Sequence, residues 1–382
     1  SHSAILARAL EIPAVLSVEG VASSLKNGDT VVVDGSEGAV IVNPDDNTVA
    51  EYSKKRDAFL AERKELENYR GRETKSASGE VYELFCNIGK PEDAVKAVDA
   101  DGEGVGLFRT EFLFMDRTSI PTEDEQFEAY KKAALILKGK SLIIRTLDIG
   151  GDKDIPYLGL EKEENPFMGF RAIRYCLKNR ELFKSQIKAI LRASAFGDIK
   201  IMFPLITTMD ELREGKKLVA ECKADLRNMG INFNENIQVG VMVETASAAV
   251  IADMLAKEAD FFSIGTNDLT GYTMACDRGN NDVSYLYSPL QPSVLRMIKR
   301  TIECGVQNGI SVGMCGEAAA NKLMIPLLIS FGLTEFSVSA PSVLNVRKII
   351  STWTKEEADK VTAKVLEMST QQEIVEYLKS VV

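Results

Sequence analysis

The sequence has a single histidine and no long apolar run. The first limits histidine chemistry to one position, and the second argues against a membrane protein. The one histidine, His2, stands at the extreme start, where it is either a reactive centre or a vector-derived remnant. The longest apolar stretch, residues 322–332, is interrupted by Pro326 and is too short to span a bilayer. The start also lacks the charged and apolar regions of a secretory signal. We therefore expect a cytoplasmic protein without a membrane-spanning segment.

Cysteines are few, and no two of them form a CxxC pair. The sequence has six cysteines, which lie inside patterned segments. This placement favours free thiols in a reducing cytosol over a disulfide framework. The net charge of −10 argues against non-specific nucleic-acid binding. A small phosphorylated substrate stays compatible with this charge, because a local basic cluster can still hold an anion.

The sequence is long enough for more than one domain, because 382 residues exceed what one hydrophobic core usually serves. Its patterns divide it into three consecutive parts. Residues 1–50 combine Gly and Asp turn signals with short β-branched runs, which indicates the end of a small domain. Residues 51–75 carry apolar positions seven apart among charges. This spacing predicts either a connecting helix or a helix on the surface of one domain. Residues 76–382 form the third and largest part.

From residue 80 onward, short apolar strands alternate with helical segments. Eight strand segments are predicted, at residues 82–89, 104–111, 142–150, 199–206, 238–245, 261–269, 311–317 and 335–339. Eight parallel strands with intervening helices over roughly 300 residues are typical of an α/β protein with a (β/α)8 TIM barrel. A doubly wound open sheet is the alternative, because periodicity does not show whether a sheet closes.

Polar residues collect at the carboxyl ends of these strands, where barrel active sites are built. The candidate cations are four arginines: Arg109, Arg145, Arg171 and Arg278. Arginines buried at one mouth need an anion or a carboxylate to satisfy their donors, so the group predicts a clamp for phosphate or carboxylate. The alternative is a set of internal ion pairs, for example Arg109 with Glu111 or Asp148.

Two carboxylates and a thiol complete the candidate site. Glu244 and Asp268 end neighbouring strands, and hard oxygen ligands of this kind suit Mg²⁺ bound together with a phosphate. Capping of the following helices is the alternative, but the nearby arginines favour the metal. Cys315 lies between glycines at a strand tip, where it either exchanges a proton with a ligand or fills the core.

Taken together, these segments resemble the enzyme I family of the bacterial phosphoenolpyruvate-dependent sugar phosphotransferase system. The resemblance rests on blocks that occur in order, among them SHSAILARALEIPAV, GVGLFRTEFLFMDR, RTLDIGGDK, ENPFMGFRAIR, VGVMVET, FFSIGTNDLT, DRGN and GMCGE. The pyruvate phosphate dikinase and phosphoenolpyruvate synthase families are similar around the strand tips and the histidine loop. The segment PTEDEQFEAYKKA favours enzyme I. A match that continues through SAILAR and IPAV also argues against a vector origin for His2.

The resemblance implies a phosphoenolpyruvate-protein phosphotransferase with Mg²⁺ as cofactor. Residues 1–50 would be the C-terminal part of a swivelling phosphohistidine domain, 51–75 a linker helix and 76–382 a phosphoenolpyruvate-binding barrel that forms a homodimer. The carrier protein HPr would be the partner, although its docking domain is absent from this sequence. The alternatives are an isolated phosphoenolpyruvate-binding and dimerisation fragment without transfer activity, and a relative of pyruvate phosphate dikinase or phosphoenolpyruvate synthase.

Residue by residue, the resemblance implies the following roles. His2 would be phosphorylated, and Cys315 would protonate the departing enolate of pyruvate. Glu244 and Asp268 would bind Mg²⁺. The substrate would be held by Arg109, Arg145, Arg171, Asn267 and Arg278.

Overall fold

A computed structural model describes residues 7, 12–16, 18, 20–115, 117–150 and 155–382. The chain divides into two compact units, Ser1–Asn68 and Tyr69–Val382. Of the helices in the described ranges, none combines the length and the apolar composition needed to cross a membrane.

The first unit contains a short hairpin and a long helix. A one-turn helix, α1 (Val21–Ser24), precedes strands β1 (Val31–Asp34) and β2 (Ala39–Val42), which pair antiparallel. Helix α2 (Asp46–Leu66) follows. It begins before the predicted residue 51 because the Asp45 side chain accepts a hydrogen bond from the Thr48 N–H at 2.7 Å and caps the first turn.

Helix α2 also ends before the predicted residue 75. A 3-10 turn, Glu67–Tyr69, follows Leu66. The next residues leave the helical path because Gly71 has a φ of 71°, in the left-handed region that glycine adopts without strain. The division into a partial phosphohistidine domain, a linker and a barrel domain stays a prediction.

The second unit is built on a closed barrel of eight parallel strands. These are β3 (Glu83–Ile88), β4 (Val105–Arg109), β5 (Leu142–Arg145), β6 (Ile199–Phe203), β7 (Val239–Val243), β8 (Phe261–Gly265), β9 (Ser311–Cys315) and β10 (Glu335–Val338). Closure comes from β10, which pairs with both β9 and β3. The prediction of a (β/α)8 barrel is confirmed, and the open-sheet alternative is wrong.

Helices surround the barrel; most lie between successive strands, and the last three follow β10. They are α3 (Asp93–Asp99), α4 (Glu123–Leu137), α5 (Ile173–Lys178), α6 (Arg180–Ala193), α7 (Met209–Asn228), α8 (Ala246–Val250), α9 (Ala252–Leu255), α10 (Thr266–Met274), α11 (Pro292–Gln307), α12 (Ile325–Phe331), α13 (Val343–Thr352), α14 (Lys355–Glu367) and α15 (Gln371–Val381).

Alternation along each strand separates two packed regions. In β8, Phe262 and Ile264 join the large core between the barrel and its helices, whereas Phe261 belongs to a separate cluster inside the barrel. That inner cluster also contains Met242 and Cys315. Because side chains alternate between the two faces, the inward residues at the strand ends meet at the barrel mouth.

Candidate active site

The barrel brings the predicted residues to one end. Arg109 ends β4, Arg145 ends β5 and Cys315 ends β9. Glu244 directly follows β7, and Asp268 lies in the first turn of α10. All eight strands are parallel, so these positions share the carboxyl-terminal mouth of the barrel.

Arg145 is buried among carboxylates. Its Nη2 lies 2.8 Å from Glu111 Oε1, and its Nη1 lies 3.0 Å from Asp148 Oδ2. The three residues are 5–7% exposed. Burial alone would lower the pKa of Arg145, but the two carboxylates outweigh burial and raise it. The guanidinium is therefore permanently charged and held in place before any ligand arrives.

Arg171 is tied to the same carboxylate. Its Nη2 lies 2.7 Å from Asp148 Oδ1 and 3.3 Å from Asp268 Oδ2, and its Nη1 donates to the Tyr272 hydroxyl at 3.3 Å. Burial acts to lower the pKa of Arg171, whereas the acidic neighbours raise it. Asp148 is thus the counter-ion that Arg145 and Arg171 share. Two of the four predicted cations meet at one point.

Arg109 and Arg278 are more accessible than these two. The guanidinium carbon of Arg109 lies 5.2 Å from the centroid of the Phe112 ring. The suggested partners of Arg109, Glu111 and Asp148, pair with Arg145 instead, because its side chain points into the barrel between them. Arg278 has a side chain that is 60% exposed and lies 3.6 Å from Glu317 Oε1. Within the described part of the chain, both cations keep N–H donors available for a ligand that enters from solvent.

Asn267 lies at the start of α10, where it borders the loop after β9. Its backbone carbonyl accepts a hydrogen bond from the Tyr287 hydroxyl at 2.8 Å. A Cβ added at Gly316 would lie 3.5 Å from its Oδ1 and 2.8 Å from Thr266 Oγ1. Gly316 has a φ of 107°, so only glycine fits this close approach without strain.

Glu244 is a buried acid, and Asp268 is a half-buried one. Glu244 is 2% exposed, and its Oε1 accepts the Leu205 N–H at 2.7 Å. Burial and then the neighbouring Asp268 raise the pKa of Glu244 well above its usual range. Burial likewise raises the pKa of Asp268. Burial and neighbouring acids, Asp268 for Glu244 and Asp148 for Asp268, therefore disfavour the charged forms of both residues.

The helix-capping alternative is wrong for Glu244. The N-terminus of α8 is capped by Thr245, whose hydroxyl accepts the Ala248 N–H at 3.0 Å. The Glu244 carboxylate turns instead toward the mouth, and a Cβ added at Gly265 would lie 2.8 Å from its Oε2.

The donor set fits a magnesium ion that shares its ligands with a substrate. Within the described ranges, no group of three or more His, Cys, Asp or Glu residues is arranged to hold a metal. Mg²⁺ commonly uses one or two carboxylates together with waters and substrate phosphate oxygens. A divalent ion between Glu244 and Asp268 would also stabilise their charged forms, which burial disfavours.

Cys315 ends β9 at the same mouth, and its thiol is buried. It is 3% exposed, and its Sγ lies 3.7 Å from the Ile264 carbonyl oxygen. Burial raises the pKa of Cys315 to about 11, against smaller lowering effects of Ser263 and Arg145. At neutral pH this residue is therefore a protonated thiol, the form that a proton donor needs.

Comparison with known proteins identifies the family. The PEP-binding domain of PEP-utilising enzymes matches residues 63–354, and the mobile domain of the same enzymes matches residues 1–38. The chain belongs to the family of PEP-utilising enzymes. The resemblance stated from the sequence is confirmed at this level.

Several relatives of this PEP-utilising enzyme carry the name phosphoenolpyruvate-protein phosphotransferase. That of Bacillus subtilis is 51% identical over 99% of this chain, that of Staphylococcus carnosus is 48% identical over 99%, and that of Staphylococcus aureus is 46% identical over 100%. The chain spans 66%, 66% and 67% of their respective lengths. A solved aldolase/citrate lyase family protein from Burkholderia cenocepacia is 16% identical, with a TM-score of 0.40 over 78% of this chain and 98% of its own, a likeness too low to carry an argument.

Two residues of this PEP-utilising enzyme escaped the sequence reasoning. Tyr272 contacts Arg171, as described above. Gln186 is fully buried, accepts the Leu147 N–H at 2.8 Å and donates to the Thr110 hydroxyl at 3.1 Å. It thereby joins the ends of β4 and β5. The sequence feature that could have identified Gln186 is its position as a polar residue on the apolar face of the amphipathic helix α6.

His2 lies outside the described residues, so its role stays a prediction.

Proposed function

We propose that this PEP-utilising enzyme is a phosphoenolpyruvate-protein phosphotransferase. It would transfer the phosphoryl group of phosphoenolpyruvate to His2 and then to HPr for sugar uptake, releasing pyruvate. The observation that carries the proposal is the meeting of Arg145, Arg171 and Asp268 around Asp148 at the barrel mouth. Fixed cations beside hard oxygen ligands are the usual equipment of phosphoryl transfer.

The arginines divide into an inner and an outer pair. Arg145 and Arg171 are oriented by ion pairs, so their guanidinium groups need no reorganisation when the substrate binds. Arg109 and Arg278 are accessible from solvent and supply the donors that engage the phosphoryl oxygens. Asn267 borders the same opening and would hold the substrate through its amide.

Glu244 and Asp268 would hold Mg²⁺ together with substrate oxygens. The bound ion would supply a positive charge that stabilises the phosphoryl oxygens and the enolate during transfer. Both residues must be ionised to act as ligands, and a bound cation would favour the ionised forms that burial disfavours.

The transfer itself needs a nucleophile and a proton donor. A neutral ring nitrogen of His2 attacks the phosphorus in line, the N–P bond forms and the P–O bond to the enolate oxygen breaks. The C3 carbon of the enolate then takes the proton of the Cys315 thiol to give pyruvate. The raised pKa of Cys315 favours this direction, because it keeps the proton available at neutral pH.

We place this reaction in the cytoplasm and propose a homodimer with HPr as phosphoryl acceptor. All six cysteines are free thiols, which agrees with a reducing compartment. The dimer and HPr are inferred from the enzyme I resemblance.

Incubation with phosphoenolpyruvate labelled in the phosphoryl group tests the proposal. With Mg²⁺ present, we expect an acid-labile label on His2 and an equal amount of pyruvate, and we expect both to disappear in His2→Ala. Binding of phosphoenolpyruvate without label transfer would favour the alternative, a binding and dimerisation module. Labelling that requires ATP would indicate a dikinase.

A further inference from the structure

A carboxylic acid is buried inside the barrel beneath the proposed site. Glu335 begins β10 and is 5% exposed, and its Oε1 has no hydrogen-bond partner among the described residues. Two glycines leave room for its side chain. A Cβ added at Gly313 would lie 2.9 Å from the Glu335 carboxyl carbon, and a Cβ at Gly106 would collide with Oε1.

A second buried polar atom without a partner lies nearby. Ser263 is 1% exposed, and its Oγ also makes no hydrogen bond within the described part of the chain. The strand register relates the two groups, because Glu335 and Ser263 both stand opposite Gly313 on β9, one from each side. Their orphaned oxygens therefore belong to the same level of the barrel interior.

Cys315 lies one level higher. It follows Gly313 by two residues on β9, which corresponds to about 7 Å along a strand. The Ser263 hydroxyl lowers the pKa of Cys315, although it makes no hydrogen bond of ordinary geometry to the thiol. Ser337, opposite Cys315 on β10, donates its hydroxyl proton to Asn87 Oδ1 at 2.6 Å. Ser263 thus lies between Glu335 and Cys315, and its hydroxyl has no hydrogen-bond partner among the described residues.

Buried polar atoms are nearly always hydrogen-bonded to protein or to ordered water. The two unpartnered oxygens, Glu335 Oε1 and Ser263 Oγ, are polar partners of the kind that an internal water needs. Such a water would satisfy both Glu335 Oε1 and Ser263 Oγ and would connect them toward Cys315.

We propose that Glu335 is a positioning residue for proton supply, which returns a proton to Cys315 through internal water and the Ser263 hydroxyl after each protonation of the enolate. This inference rests on the proposed function, in which Cys315 loses its proton to C3 of the enolate. The proton of Glu335 moves to the water, a water proton moves to Ser263, and the Ser263 proton moves to the Cys315 thiolate. The Glu335 carboxylate is then protonated again from solvent at the barrel floor.

The energetics favour transfer in this direction. Burial and the like charge of Glu83 raise the pKa of Glu335 to about 8, against a lowering effect of Lys200. Glu335 is therefore mostly protonated at pH 7, and it is a stronger acid than the Cys315 thiol with its pKa of about 11. The proton moves downhill from Glu335 to a newly formed thiolate.

The floor of the barrel provides an exit to solvent. Glu83 stands opposite Glu335 on β3 and is exposed. Lys200 on β6 is half-buried. Together with Cys315 above, these are the ionisable groups that act on or respond to Glu335.

Two isotopes measured in one experiment test the relay. When labelled carbon exchanges between pyruvate and phosphoenolpyruvate, Cys315 takes a proton from C3 of pyruvate and gives a proton back to the enolate. This exchange therefore needs no proton from solvent. Incorporation of deuterium from D₂O into the C3 position requires that Cys315 renew its proton. The full chain is incubated with Mg²⁺, phosphoenolpyruvate and labelled pyruvate, and the ratio of deuterium incorporated to carbon exchanged is measured.

We expect Glu335→Gln to lower this ratio about a hundredfold, the lower end of what general acid–base catalysis contributes. Ser263→Ala should lower it in the same direction. In the wild-type chain the ratio should fall as pH rises through about 8, where Glu335 loses its proton, and Glu335→Gln should lack this fall. Thr362→Val removes another buried hydroxyl without a partner, on α14 outside the barrel, and should leave the ratio unchanged.

The outcomes separate the two proposals. A Glu335→Gln chain with carbon exchange and an unchanged ratio would overturn the relay alone, because Cys315 would then draw its proton from the barrel mouth. A wild-type chain that exchanges no carbon would overturn the proposed function and the relay with it. Should Glu335→Gln fail to fold, an unchanged ratio in Ser263→Ala would likewise count against the relay.

Discussion

Replacing Asp148 by asparagine tests whether one carboxylate organises the cations of the site. The substitution keeps the size of the side chain but removes the negative charge between Arg145 and Arg171, which lie 3.0 Å and 2.7 Å from its oxygens. All three side chains are less than 10% exposed. Solvent therefore does little to replace the lost charge.

The magnitude follows from this burial. Breaking a buried ion pair by removing one partner typically costs 3–5 kcal/mol. Arg145 keeps Glu111 and Arg171 keeps Asp268 as second partners. We therefore expect the unfolding free energy of the barrel to fall by about 3 kcal/mol, the lower end of that range.

Urea denaturation followed by tryptophan fluorescence measures this change. The only tryptophan, Trp353, lies in the barrel unit, so its signal reports that unit. Asp253→Asn is the matched control. Its partner Arg300 lies 2.9 Å away, and the two side chains are 50% and 46% exposed. Asp253→Asn should lower the free energy of unfolding by only about 0–1 kcal/mol. An equally small loss in Asp148→Asn would refute the view that a buried counter-ion organises the arginines.

Three further predictions concern the site and the barrel interior. Cys315→Ala should slow pyruvate formation about a hundredfold while the affinity for phosphoenolpyruvate, measured by titration calorimetry, changes little; unchanged turnover would remove the thiol from the mechanism. Glu335 binds a proton up to about pH 8 when folded but only to about 4.5 when unfolded. Stability should therefore fall as pH rises through this window, and urea midpoints of Glu335→Gln should lack that component. Gly316→Ala should lower the unfolding free energy by about 1–3 kcal/mol, because alanine is strained at a φ of 107°; equal urea midpoints would contradict this.

The barrel strands were predictable because each combines a short apolar run with turn signals. All eight strands lie within the predicted segments, from Glu83–Ile88 to Glu335–Val338. Closure was not predictable in the same way. It depends on pairing of β10 with β3, for example Val338 with Cys86, and no local pattern encodes a contact between such distant residues.

The sequence predicted which residues form the site, but not which ion pairs they make. Parallel strands bring their carboxyl ends together, so the positions of Arg145 and Glu244 at the mouth followed from the sequence. Which acid neutralises which arginine depends on side-chain direction. Glu111 was suggested as a partner of Arg109, but it pairs with Arg145 in the folded barrel. The burial of Glu335 inside the barrel was not predictable, because a glutamate at the start of a strand usually faces solvent.

A crystal structure with Mg²⁺ and phosphoenolpyruvate tests the central claim most directly. We predict the phosphate group against Arg109 and Arg278 and beside Arg145, the metal on Glu244 and Asp268, and C3 of the substrate facing the Cys315 thiol. Electron density for the ligand away from this end of the barrel, or a metal held by other residues, would contradict the account.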